Sequence, residues 1–231
     1  MSTHAETYED LVKRENATRQ RAAASPHRQP EPPAVMPVRE RIPHAEALAL
    51  GRSVLAPIMP LLALDSDAKP RAAWAGSLRR RCEFVNDLDC VMLPKSPADK
   101  MQIQRYLYNI AKRQICRGDV KMSVLIPDMA GALVQLDVWF ARDHESDGVL
   151  DLFAAALPGN FGSILLYATG SAAHNVRIAE AAKAKGWHWH QFAGLQIPAT
   201  APGLPDKVVS QTEEMIYEAL GMEFIKPWER V

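Results

Sequence analysis

The spacing of apolar residues changes period several times along the chain, and each change predicts an element. In RIPHAEALALGRSVLAPIMPLL, Ala47, Leu48, Leu50, Val54, Leu55 and Ile58 recur at helical intervals, with Pro43 suited to a first turn. CEFVNDLDCVMLP then alternates in twos and predicts a strand over about 84–93, on which Asp87 and Asp89 share one face. DKMQIQRYLYNIAKRQICRG returns to helical spacing and predicts an amphipathic helix that stops at Gly118. VKMSVLIP and LVQLDVWFA read as two strands joined at DMAG, with Asp137 in the middle of the second among apolar and aromatic neighbours. Further on, GVLDLFAAALPG predicts a short helix, and SAAHNVRIAEAAKAKG a longer one running from Ser171 as N-cap to Gly186. WHWHQFAGLQIP reads as a strand, and SQTEEMIYEALG as a last helix opened by Ser210 and Glu213 at capping-box spacing.

Composition divides the chain. Residues 1–36 end in SPHRQPEPPAVMP and read as a disordered Pro-rich tail, with a helix expected around Tyr8 to Ala24 and a protein partner of unknown kind. Two lobes are expected after it, over 37–147 and 148–231. Cys82, Cys90 and Cys116 form no CxxC pair, so neither a disulfide framework nor a structural zinc site is expected. With no apolar run approaching the ~20 residues of a membrane span, the expectation is an intracellular protein with no membrane partner. Net charge is zero, which argues against coating nucleic acid by bulk electrostatics. The distribution is uneven, however, with eleven Lys/Arg against five Asp/Glu between Arg71 and Lys121, which suits a polyanion met on one region only.

Two carboxylates on one strand face and a third from a neighbouring strand make an oxygen-rich site for hard divalent cations. Two such ions can clamp the attacking and leaving oxygens of a phosphoryl displacement. Asp87, Asp89 and Asp137 meet that specification if 84–93 pairs with 133–140. Just upstream, Gly76 and Ser77 offer backbone and hydroxyl donors in a tight turn, and Arg80 offers a bidentate fork suited to triphosphate oxygens. A surface ion-pair cluster is the plainer alternative. His188 and His190 share a strand face, yet with His174 they lack a carboxylate or thiolate to complete a metal site, and Trp187 and Trp189 are expected to pack the smaller lobe.

GSLRRRCEFVNDLD resembles the Gly-Ser, Arg-Arg and Asp-x-Asp signature of the DNA polymerase X family, the polymerase beta-like nucleotidyltransferases. ERIPHAEAL, VQLDVWF, LLYATGSAAHN, AKAKGWHWHQFAGL and VVSQTEEMIYEALGMEFIKPWER resemble further segments of that family in the same order, over about residues 37–231. The resemblance implies an α+β fold, with a nucleotidyltransferase palm of mixed or antiparallel sheet and flanking helices followed by a small α+β thumb. It is similar to the reduced palm-plus-thumb form, with neither lyase nor proofreading activity expected. It implies a DNA-directed DNA polymerase that adds deoxynucleotides to a primer 3′ end and fills short gaps in repair, with DNA and a dNTP as partners and two Mg2+ ions, replaceable by Mn2+.

By the same resemblance, Asp87 and Asp89 bind both metals, and Asp137 binds the catalytic one near the primer 3′ hydroxyl. Arg41, Gly76, Ser77 and Arg80 hold the phosphates with Asn86 beside them, Tyr167, Thr169 and Gly170 pass beneath the sugar, and Asn175 reaches the minor-groove edge of the base. Arg177 and Lys183 face DNA. The sequence departs from the family at Arg81 and Asn86, where glycine is usual, at Gln135 and Ala172, where an arginine and an acid stand, and at Val176 and Ala179, where template-touching Lys and Arg are found. A template-independent or small-substrate nucleotidyltransferase and a non-catalytic DNA-end binding module remain alternatives.

Overall fold

The structure, a computed structural model, describes residues 37–142, 159–199 and 206–230. The expected tail, its helix and the short helix expected from Gly148 lie outside the described residues. At the centre is a mixed sheet in the order β2-β4-β7-β6-β5, built from β2 (Ala72–Trp74), β4 (Asp87–Met92), β5 (Arg113–Arg117), β6 (Lys121–Pro127) and β7 (Leu133–Phe140). β4 and β7 run parallel and the other neighbours antiparallel. The expected pairing of 84–93 with 133–140 is therefore present, and it sets Asp89 opposite Asp137.

Alternation along these strands separates two faces. Leu88, Cys90, Met122, Val124, Leu136 and Val138 face one side, where α1 (His44–Leu55) and α3 (Pro97–Ile110) close the main core with Ala47, Leu55, Ile103 and Leu107. The opposite face is divided. Val91 and Leu93 pack under Ile164 and Leu165 of α4 (Phe161–Thr169), while the half carrying Asp87, Asp89 and Asp137 is left to a cleft. A four-residue helix, α2 (Gly76–Arg79), stands where a tight turn was expected. Gly76 is required there, because its φ is +55° and a Cβ would come within 2.2 Å of Asp89 Oδ2.

The C-terminal half packs α5 (Ala172–Ala184) and α6 (Glu213–Leu220) around a small antiparallel sheet of β8 (His188–His190), β9 (Gly194–Ile197) and β10 (Lys207–Val209). Leu166, Ile178, Leu195, Ile216 and Tyr217 form its core, with Trp187 and Trp189 against it as expected. The fold is thus α+β, a mixed sheet flanked by helices followed by a small α+β unit. No helix among the described residues is long and apolar enough to cross a membrane.

Several elements differ from the sequence pattern. The helix expected to reach Gly118 stops at Ile110, and 113–117 becomes edge strand β5, because its backbone groups pair with β6 from Arg113↔Leu125 to Arg117↔Met122. Tertiary pairing here overrides the helix propensity of Lys, Arg and Gln. The strand at 84–93 breaks at Asn86, so β3 (Phe84–Val85) pairs with β1 (Ile42–Pro43) and only β4 joins the main sheet. WHWHQFAGLQIP folds as the hairpin β8–β9, reversing before Gly194, whose φ is +92° and whose Cβ would strike Ser210. Thr212, not Ser210, caps α6 by accepting from Met215 N at 3.2 Å, and Pro43 precedes α1 as its N-cap instead of lying in its first turn. Ser171 caps α5 as expected, accepting from His174 N at 3.2 Å.

Arg81 sits at φ +61°. A left-handed backbone costs a side-chain-bearing residue roughly 1–2 kcal/mol. Part of that is offset by the guanidinium, which lies 3.9 Å over the Trp228 ring. Arg81→Ala keeps the strain and loses the ring contact, whereas Arg81→Gly loses the contact and relieves the strain. Urea denaturation is expected to place the Gly variant about 1 kcal/mol above the Ala variant, and equal stabilities would contradict this account.

Candidate active site

Asp89 and Asp137 are direct partners across the parallel β4–β7 pair, and Asp87 lies one pleat away on the same face opposite Gln135. Adjacent strands are about 4.8 Å apart, so three carboxylates crowd one patch. Burial, with Asp87 nearby, pushes the Asp89 carboxyl up to about 7, and burial with the Asp137 charge also raises Asp87. Such a patch stores unfavourable charge that a cation would relieve, so the donor set fits hard divalent ions. Among the described residues no group of His, Cys, Asp or Glu is gathered in metal-ligating geometry. The acids are turned toward the protein's own donors: Trp139 Nε1 donates to Asp89 Oδ1 at 3.3 Å, Gln135 Nε2 to Asp137 Oδ1 at 3.0 Å, and the Lys121 ammonium lies 2.5 Å from Asp137 Oδ2.

A cleft of about 470 Å³ opens beside the acids, lined by Arg80, Asp89, Trp139, Tyr167, Gly170 and Asn175 among others. It joins the sheet to the turn between α4 and α5, and so brings together five of the residues singled out from sequence, Arg80, Asp89, Tyr167, Gly170 and Asn175. LLYATG, expected as a sugar-facing segment, is the end of helix α4, with Gly170 at φ +66° as its C-cap. Arg80 donates to Thr169 O, which ties α2 to this turn. Tyr167 meets Trp139 edge-to-face at 5.9 Å. Asn175 Nδ2 donates to Tyr167 O at 2.9 Å, and its Oδ1 is buried with no hydrogen-bond partner among the described residues.

The remaining candidates do not line this cleft. Arg41 is exposed on the chain entering β1 with its guanidinium 4.3 Å over the Phe84 ring, and Asn86 is exposed at the break before β4. Ser77 is half-buried on α2, and Arg177 and Lys183 are exposed on α5. His188 and His190 are exposed with rings 6.4 Å apart, whereas His174 is buried on Tyr217 OH at 2.7 Å.

Sequence reasoning passed over the contacts that hold this site. Glu213, only 3% exposed, accepts from both terminal nitrogens of Arg79 at 2.9 and 2.6 Å and from Arg230 Nη1 at 2.7 Å. Burial alone would raise the Glu213 pKa, but the two guanidiniums outweigh it and hold the carboxyl below its ordinary value. Arg79 also donates to Thr169 Oγ1 at 2.7 Å, so one side chain links α2, α4 and α6. Lys121 and Trp139 were equally hidden as site residues, because only the strand register shows them beside the acids, whereas Gln135 stood out beforehand as a departure from the family.

Residues 164–231 match the DNA polymerase beta thumb family. The chain is 29% identical over 153 residues to the DNA polymerase/3′-5′ exonuclease PolX of Bacillus subtilis (strain 168), a stretch covering 66% of this chain and 23% of that protein. Taken with the mixed sheet and its helices, these two matches support a likeness to the DNA polymerase X family over part of the chain. It spans under a quarter of the length of that curated relative.

The raised Asp89 pKa has a testable sign. Folded protein keeps a proton on Asp89 between its ordinary 3.8 and about 7 that the unfolded chain has released, so this stabilisation is complete below 3.8 and lost as pH rises toward 7. His174, held down to about 4 by burial, acts oppositely up to its ordinary 6.5 and would mask the trend in wild type alone. With chelator present, the stability of Asp89→Asn relative to wild type is expected to increase steadily from pH 4.5 to 7. A pH-independent difference in urea denaturation would show that Asp89 ionises normally.

Proposed function

We propose that this chain is a DNA-directed DNA polymerase that extends a primer 3′ end with deoxynucleotides across short gaps, as in repair, with Asp87, Asp89 and Asp137 at its reactive centre. The observation that carries this reading is the parallel register that sets Asp89 beside Asp137, with Asp87 on the same face, at the edge of a cleft that also holds Arg80, Tyr167, Gly170 and Asn175. Two magnesium ions, or manganese in their place, held by the three aspartates would supply charge neutralisation to the attacking and leaving oxygens.

The chain's own groups do the rest. Asp137 stands where a primer 3′ hydroxyl would approach and accepts its proton. Arg80 has five donors and uses one on Thr169 O, leaving the others for triphosphate oxygens, with the Ser77 hydroxyl and the backbone at Gly76 on the same short helix. On the sugar side, Gly170 presents no Cβ to crowd the cleft, and the Tyr167 ring forms its wall. Asn175 has a second amide hydrogen to offer N3 or O2, acceptors that every base pair presents in the minor groove, so the contact tests pair geometry without reading sequence.

A second reading has its own support. Ala172, Val176 and Ala179 lie exposed on α5, where the family carries an acid and the template-touching Lys and Arg, and this favours a transferase with weak template dependence. One assay separates the two. A gapped duplex offered each deoxynucleotide in turn is expected to be extended by the complementary one, and indiscriminate addition would favour the second reading. Asp137→Ala, checked for folding by circular dichroism, is expected to lower extension by roughly a thousandfold. Undiminished extension would remove Asp137 from the reactive centre.

A further inference from the structure

Lys121 opens β6 opposite Trp139, one pleat from the Ser123↔Asp137 pair, so it reaches Asp137 diagonally on the cleft face. Its ammonium lies 2.5 Å from Asp137 Oδ2 and 4.4 Å from the centre of the Trp139 ring, and Trp139 in turn donates to Asp89. With Gln135 on Oδ1 and Lys121 on Oδ2, both oxygens of Asp137 are engaged by the protein. The two partners differ in kind. Gln135 is a neutral donor from the same strand and can orient a carboxylate that also binds a metal, whereas an ammonium at 2.5 Å repels a divalent cation from the oxygen it holds. The Lys121 side chain is 31% exposed and that of Asp137 only 6%, so the lysine can swing away and the aspartate cannot.

We propose that Lys121 is the resident counter-ion of Asp137, occupying that carboxylate in the ligand-free protein and competing with a divalent cation for it. The pair neutralises part of a patch where three carboxylates crowd together, and so lets the site keep its shape before metal arrives. Under the polymerase reading, on which this consequence rests, the position at Asp137 is the last to be filled.

Manganese titration of the full chain by electron paramagnetic resonance, without DNA or nucleotide, tests the proposal directly. Lys121→Met is expected to bind Mn2+ about fivefold more tightly at one site, the scale of a partly exposed ion pair. Lys121→Arg is expected to retain wild-type affinity, and adding Asp137→Asn to Lys121→Met to abolish the gain. A purely structural ion pair would give lower stability with no gain in manganese affinity. Unchanged or weaker binding by Lys121→Met, or a gain that survives Asp137→Asn, overturns the proposal. Should Lys121→Met fail to fold, Lys121→Gln removes the charge while keeping a hydrogen-bond donor, and carries the same expectation. Failure of every variant to extend a primer would count against the polymerase reading and leave this titration standing.

Discussion

Everything at the candidate site depends on the register of one parallel strand pair. Parallel neighbours need a long crossover, and here α3, β5 and β6 fill the chain between β4 and β7. Because side chains alternate, a slip of one residue would turn Asp137 into the main core and Leu136 or Val138 out into the cleft. That error is prevented by the apolar half of the same strands. Leu88, Cys90, Leu136 and Val138 fit beneath α1 and α3 in only one register, and the acids are aligned as a consequence.

The wall of the cleft that carries α2 also has to be held in place, and this falls to charge. Glu213 between Arg79 and Arg230 fastens α6 and the C-terminal turn to α2, the short helix that presents Ser77 and Arg80. Breaking such a buried group by removing one member leaves uncompensated charge in a dry place, which costs several kcal/mol. The same residue, Arg79, reaches Thr169 beside the Gly170 turn, so the two walls of the cleft share a fastening. In the sheet, Lys121, Gln135 and Trp139 play the matching part by occupying carboxylates that would otherwise face one another.

How much of this could be read beforehand varied with the range of the interaction. Asp87 and Asp89 were legible because strand alternation is local, and Asp137 because an acid in an otherwise apolar strand is too costly to bury without a partner or a metal. Their convergence could be stated only as a condition on pairing, which the fold meets. Strand β5 was missed because Lys, Arg and Gln favour a helix in isolation, and only β6 beside them makes the extended form better. Glu213 looked like half of a capping box. Its true partners lie 134 and 17 residues away, and no local pattern points to them. Arg81 was recognisable as a departure from glycine, but the left-handed backbone and the Trp228 ring that explain it are properties of the folded chain.

The central claim is that Asp87, Asp89 and Asp137 together hold the reactive metals of a nucleotidyl transfer. Anomalous scattering from manganese in crystals of the full chain, with a dideoxy-terminated gapped duplex and a complementary dNTP, measures this most directly. The account predicts two manganese peaks within coordination distance of Asp87 and Asp89, one of them also bound by Asp137 and next to the primer terminus. Manganese peaks that leave Asp137 uncoordinated, or that lie away from this strand pair, would contradict it.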